Sequence, residues 1–177
     1  MNVLILGAGS LAKMVAEVVL QDSKKQLIGF ADDQIPVGTK ILDRFQVVSS
    51  IQGFDLVSVK PDGFLVAVGS VGVRKRLFVD FANLITPIAV VHEKAFVSSG
   101  ASVGLGSVVL AGAVLNWGAI VGENCLINSN VLVDHDSVVG SHVNVGQGCV
   151  IGSNCVISEG LVLPIGQVFP SFSKVLI

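Results

Sequence analysis

From Val91 onward an apolar residue stands at every sixth position. The series reads Val91, Val97, Val103, Val109, Leu115, Val121, Ile127, Val133, Val139, Val145, Ile151, Ile157, Leu163 and Phe169, with no break. The position four further on is mostly small: Ala95, Ala101, Ser107, Ala113, Ala119, Cys125, Val131, Ser137, Val143, Cys149, Cys155, then Leu161 and Gln167. Side chains alternate across a strand, so these two positions face the same side. A large aliphatic residue beside a small one suits the interior of a narrow prism. Gly, Asn and Ser crowd the intervening positions, where turns need them. A period of six with this content is the signature of a parallel β-helix of hexapeptide repeats. Three hexads close one triangular coil of 18 residues, and Gly104, Gly122 and Gly140 recur at that interval on one corner.

The same register assigns several residue types. Cys125, Cys149 and Cys155 all take the small interior position, so buried inert thiols are expected. The sixth position of each hexad is expected to face outward. It is often apolar, as at Val108, Val114, Ile120, Leu126, Leu132, Val138, Val150 and Val156. An apolar exterior needs a cover, and three-fold packing of such prisms, a homotrimer, is the expectation.

Residues 1–84 lack this period. "NVLILGAGS" reads as a strand entering a Gly-rich turn, "LAKMVAEVVLQ" as a helix and "QLIGFADD" as a strand ending in two acids. "GFLVAVGS" reads as a further strand and "VGVRKRLFVDFANL" as a second helix. That order is a parallel α/β unit. The chain is therefore expected to be α/β plus β: a small Rossmann-like domain over 1–84, then a β-helix over 85–177. Gly7 and Gly9 before a helix suit a phosphate held by backbone N–H groups, or a plain tight turn. The dinucleotide fingerprint is incomplete, because its third glycine position holds Ala12. Asp32 or Asp33, at a strand end, could accept from a sugar hydroxyl or a base edge, or sit in a solvated turn.

Other classes are disfavoured. The net charge is −2, and no Lys/Arg cluster occurs beyond "VRKR", so no nucleic-acid partner is expected. No apolar run reaches spanning length, so no membrane partner is expected. The N-terminus lacks the basic stretch of a secretion signal, and three cysteines without CxxC spacing do not suggest a disulfide framework. The expected location is cytoplasmic.

Within the repeat, "VDHDSVVGSHVNVG" places His135 between two acids. A histidine paired with a carboxylate is suited to general-base work near neutral pH. It would equally suit a surface turn, bonded to Asp134 or Asp136. One coil before His135 is Trp117, about 4.8 Å away along the axis, and one coil after is Ser153. Trp117 fits a wall for a ligand or a trimer contact. His142 is expected to be a solvated turn residue, and His92 a structural one.

The combination "GAGS…GFADD…VGSVGVRKRL" followed by "ASVGLGSVVLAGAVLNWGAIVGENCLINSNVLVDHDSVVG" resembles the bacterial sugar O-/N-acetyltransferases. These are related to sialic acid O-acetyltransferase and to the N-acetyltransferases of nucleotide-linked 4-amino-sugars. The resemblance implies a left-handed β-helix, a trimer, and acetyl-CoA as co-substrate in the groove between prisms. It implies a nucleotide-sugar held partly by the N-terminal domain through Gly7, Gly9, Ser10, Asp32, Asp33 and Gly69, with Asn128 near the acceptor. His135 takes the place of the family's general base and Asp136 that of the acid orienting it. Trp117, Asn144, Gly152 and Ser153 fall where the cofactor would lie, and the Ser153 N–H is a candidate oxyanion donor. No metal is implied. The chain differs from the family at Leu11, Asn144, Ser153 and the closing "VFPSFSKVLI", positions that bear on acceptor choice and cofactor fit. The alternatives are a non-catalytic sugar-binding or scaffold trimer, and a γ-type carbonic anhydrase needing three convergent histidines.

Overall fold

A computed structural model describes residues 1–176, which form two compact units, Met1–Ile88 and a second from Ala89 onward. The first is built from β1 (Asn2–Leu6), α1 (Ser10–Gln21), β2 (Gln26–Ala31), β3 (Lys40–Ile41), β4 (Phe45–Ser49), α2 (Leu56–Val59), β5 (Gly63–Val66), α3 (Val71–Ala82) and β6 (Thr86–Pro87). β1 and β5 are apolar and buried along most or all of their length, as strands covered on both faces must be. The sheet order is β3-β4-β2-β1-β5-β6, parallel except for the short β3–β4 pair. The chain leaves β1 toward β2 on one side and returns to β5 on the other. The carboxyl end of β1 is therefore a topological switch point, where open α/β sheets form a crevice. β6 pairs with β5 and Ile85 joins the core with Leu77, Phe78 and Phe81, so residues 85–88 stay with this unit.

The second unit is the left-handed parallel β-helix of hexapeptide repeats, with two-residue strands in three parallel five-stranded sheets. The register advances by one coil of 18 residues, as in Val114↔Leu132 and Leu132↔Val150. From Val109 to Ile157 the large interior positions are almost wholly buried. The first rung is looser, with Val91 42% exposed. The three cysteines are buried, their thiols beside carbonyl oxygens of the corners. Ser107 and Ser137 occupy the same small slot and each bridges two coils. Ser137 Oγ donates to Gly152 O at 2.7 Å and accepts the Cys155 N–H at 3.0 Å. These bonds satisfy polar groups that burial would otherwise penalise.

The turns share one geometry. Every sixth residue from Gly106 to Phe172 has positive φ: Gly106, Gly112, Gly118, Asn124, Asn130, Asp136, His142, Gly148, Asn154, Gly160, Gly166 and Phe172. This is a left-handed slot that Gly, Asn and Asp tolerate. Two sequence expectations change here. His142 is in a turn but not solvated: it is 8% exposed, with Nδ1 2.9 Å from Asn124 Nδ2 in the slot one coil before. The outward position is not uniformly exposed either. Val108 and Leu126 are buried at 0% and 3%, whereas Ile120 and Val156 are 47% and 38% exposed. The two groups lie on different sheets, so the faces of the prism are not equivalent.

Candidate functional site

Two sets of candidates emerge, one in each unit. In the first, β1 is followed by Gly7, whose φ of +99° is a left-handed conformation. A Cβ there would lie 2.8 Å from the Ala67 carbonyl oxygen, so only glycine fits. Gly9 caps α1 with no side-chain hydrogen bond to the first turn. The leading N–H groups of a helix have no intrahelical acceptor, and such an end favours an anion. A cavity of about 330 Å³ opens here, lined by Gly7, Gly9, Ser10, Leu11, Asp32, Ala67, Val68 and Gly69. A second, of about 360 Å³, shares Gly7, Asp32 and Val68 and adds Asp33, Gln34, Ile51, Gln52, Val73, Arg76 and Leu77. All six residues expected to hold the sugar nucleotide thus line this crevice.

Both acids also carry structural hydrogen bonds. Asp32 Oδ2 accepts the Ala8 N–H at 2.8 Å, and Oδ1 accepts from Gln34 and Ile35 at 2.7 and 3.0 Å. Asp33 Oδ1 accepts from Ile51 and Gln52 at 2.8 and 3.0 Å. These carboxylates clasp the loops that shape the crevice. Arg76 is the residue that sequence reading passed over. "VRKR" shows only a charge cluster, and the sheet order is needed to put one of its members on the cavity wall.

In the second unit, His135 sits on the turn between the strands Leu132–Val133 and Val138–Val139, followed by Asp136 at φ +58°. Nδ1 of His135 meets Asp136 Oδ2 at 2.9 Å, the two side chains being 52% and 58% exposed. Asp136 has a conformational reason to be there, since its slot favours short polar residues, and a chemical one. The hydrogen bond to Asp136 raises the proton affinity of His135 above the usual imidazole value, with Asp134 adding a smaller attraction. With Nδ1 so engaged, Nε2 is the nitrogen left for an incoming ligand. Asp134 faces another way. Its Oδ1 accepts from Asn116 Nδ2 at 2.7 Å and from the His135 N–H at 2.8 Å, and these bonds hold its carboxyl below the usual carboxylate range.

Trp117, His135, Gly152 and Ser153 fall on the same corner of successive coils. The indole of Trp117 is 65% exposed and lies over Gly100, where a Cβ would come within 2.4 Å of its ring. The ring therefore packs against the preceding coil. The Ser153 N–H is already donated, to Ser171 Oγ at 3.2 Å, and the two hydroxyls are 2.9 Å apart. It is free for an oxyanion only if Ser171 turns aside. Asn128 lies on a different corner, and Asn144 in the strand Asn144–Val145 of the sheet that runs into it. Asn128 is 7% exposed and donates to Asn144 Oδ1 and Val145 O at 2.9 and 2.7 Å. One chain does not bring them to His135. The three histidines likewise stand on three different corners. Among the described residues no group of three or more His, Cys, Asp or Glu is placed to hold a metal ion, and no helix is long and apolar enough to cross a membrane.

Residues 2–81 match the family model described as the PglD N-terminal domain. The whole chain shares its fold with three solved proteins, so the fold that the sequence resemblance implied is borne out. The acetyltransferase domain of PglB from Neisseria gonorrhoeae FA1090, in complex with acetyl coenzyme A, is 24% identical with a TM-score of 0.78, over 98% of this chain and 94% of that one. PerB from Caulobacter crescentus, in complex with CoA and GDP-perosamine, is 22% identical with a TM-score of 0.70, over 99% and 89%. WeeI from Acinetobacter baumannii AYE is 20% identical with a TM-score of 0.79, over 99% and 94%. At these identities the likeness establishes the fold. No curated protein sequence gives a significant match.

Proposed function

We propose that this chain transfers an acetyl group from acetyl-CoA to the amino or hydroxyl group of a sugar, best read as a nucleotide-linked 4-amino-sugar, with His135 as general base. The observation that carries the reading is the exposed His135–Asp136 pair on the β-helix corner. It occurs in a fold shared along nearly its whole length with an acetyltransferase holding acetyl-CoA. The crevice at Gly7 supports a nucleotide-sugar, because it joins a helix N-terminus for phosphate with polar walls and the Arg76 cation. PerB, of the same fold, is held with GDP-perosamine.

The chemistry follows from the geometry. The acceptor nitrogen or oxygen attacks the thioester carbonyl carbon and gives its proton to His135 Nε2. Asp136 accepts from Nδ1–H, fixing the tautomer and stabilising the imidazolium. Collapse of the tetrahedral centre breaks the carbon–sulfur bond, and the leaving thiolate takes the proton from Nε2. His135 is regenerated and no covalent enzyme intermediate is needed.

The reading includes a homotrimer. Phe96, Ile120 and Val168 are 59%, 47% and 62% exposed on outward positions of the single chain, an apolar surface that packing would cover. Three-fold packing would also let the Asn128 corner of one copy, with the adjoining Asn144, approach the His135 corner of the next. In this reading Trp117, Gly152 and Ser153 flank the acetyl-CoA thioester, and the chain works in the cytoplasm.

The test is thiol release from acetyl-CoA against UDP-, dTDP- and GDP-linked 4-amino-sugars and free sialic acid. Turnover with one acceptor is expected, and Arg76→Ala should raise KM for it by about 10-fold or more, as loss of a charge-assisted bond does. No turnover by a protein that binds a nucleotide-sugar would favour the scaffold reading instead.

The pairing also sets a pH dependence. The neutral imidazole is the active form, so kcat/KM should rise with pH through a midpoint above the ordinary value of 6.5. Asp136→Asn removes the main cause of the raised affinity, and the midpoint should fall toward 6.5. A pH–rate profile of both proteins checks this. The same bond stabilises the fold below the ordinary imidazole value and is lost as pH rises through the raised one. With both side chains more than half exposed, solvent screening keeps that contribution small.

A further inference from the structure

We infer that Asn116 and Asp134 are positioning residues for His135, an inference that rests on His135 being the base. Acids flank this histidine on both sides, and their hydrogen bonds separate their tasks. Asp136 meets the imidazole ring. Asp134 Oδ1 instead accepts the backbone N–H of His135 at 2.8 Å and the Asn116 amide at 2.7 Å, the latter from one coil before. Asp134 therefore grips the main chain of the base and ties it to the coil beneath. The next residue there, Trp117, adds a second tie through its carbonyl, which accepts the Asp136 N–H at 3.1 Å.

The coil above completes the grip. The His135 carbonyl accepts the Asn154 N–H at 3.1 Å, and Ser137 Oγ bridges to Gly152 and Cys155. A side chain 52% exposed has little packing to hold it, so the aim of Nε2 rests on the Asp136 bond to Nδ1 and on these bonds, which fix the main chain that carries the ring. Aim matters in such a reaction, because a misplacement of about 1 Å can cost on the order of 100-fold in rate. Asp136 thus sets the proton affinity and ring orientation of the base, and the Asn116–Asp134 pair sets the placement of its main chain.

The test compares Asn116→Ala, Asp134→Ala and Asp134→Asn with His135→Ala, using acetyl-CoA and a UDP- or GDP-linked 4-amino-sugar. Asn116→Ala and Asp134→Ala should lower kcat by about 10- to 100-fold with KM little changed. Asn116→Ala keeps both carboxylates, so its pH midpoint should stay at the wild-type value. Asp134→Asn keeps an acceptor oxygen for both bonds and should restore kcat to within a few-fold of wild type. Amide hydrogen exchange at His135, slow in the wild type, should quicken in Asp134→Ala alone of the two Asp134 variants, which reads the grip without any acceptor. Full kcat in both alanine variants beside an inactive His135→Ala would overturn positioning while leaving the base. Equal loss in Asp134→Asn and Asp134→Ala would also overturn it, since charge rather than placement would then be at work. An unimpaired His135→Ala protein would remove the base, and the positioning role with it.

Discussion

His135→Ala should lower kcat/KM by about 100- to 10,000-fold, the usual contribution of a positioned general base, while the protein melts where the wild type does. The two halves of this result are independent. The side chain is 52% exposed, and its recorded partner is the equally open Asp136. The turn itself is held by bonds that alanine retains: the residue 135 N–H to Asp134, its carbonyl to the Asn154 N–H, and the Asp136 N–H to the Trp117 carbonyl. The left-handed φ belongs to Asp136, not to His135, so no strain is added. A melting temperature well below wild type would make His135 a structural residue. An unchanged rate with an unchanged melt would remove it from the chemistry. His135→Gln, which keeps a polar tip but cannot take a proton near neutral pH, should be as slow as the alanine variant.

The repeat was legible because one physical constraint acts fourteen times over: a narrow prism admits a large aliphatic residue and a small one at fixed places in each hexad. The left-handed slot shows in the same stretch as a run, at six-residue spacing, of mostly Gly, Asn and Asp. That run by itself explains Asp136 as a turn residue. Period alone places a residue on a corner without saying whether that corner is open. His142 departs from expectation for this reason: it occupies the same slot as Asp136, one corner on, yet is buried beside Asn124. In the first unit the long elements β1, α1, β2, β5 and α3 carried clear apolar patterns. β3, β6 and α2 are two to four residues long and leave no period to detect. The acids at 32 and 33 were visible, but their acceptance of Ala8, Ile51 and Gln52 N–H groups depends on contacts across 18 to 24 positions in sequence. Arg76 is hidden for a similar reason, since a helix face acquires meaning only once the sheet order is known.

Ile151→Ala should cost about 2–5 kcal/mol, the range for truncating a buried isoleucine when its surroundings relax only partly. At this chain length that corresponds to a drop of roughly 5–20 °C in melting temperature. Ile151 is wholly buried and stacks in register between Val133 below and Phe169 above. In a repeat structure each coil is stabilised mainly by its neighbours, so a void in one rung weakens two interfaces. Ile151→Val removes one methylene and should cost only about 0.5–1.5 kcal/mol, which calibrates the site. Ile151 also reaches the His135 corner by its main chain, because its carbonyl accepts the Asp134 N–H at 2.9 Å. That bond and the bonds around His135 survive the substitution. Well below its lowered melting point, Ile151→Ala should therefore retain kcat within a few-fold of wild type. Differential scanning calorimetry with rates taken at low temperature separates the two quantities. A large loss of kcat in a fully folded Ile151→Ala protein would mean that the placement of His135 depends on interior packing as well as on the hydrogen bonds of its turn.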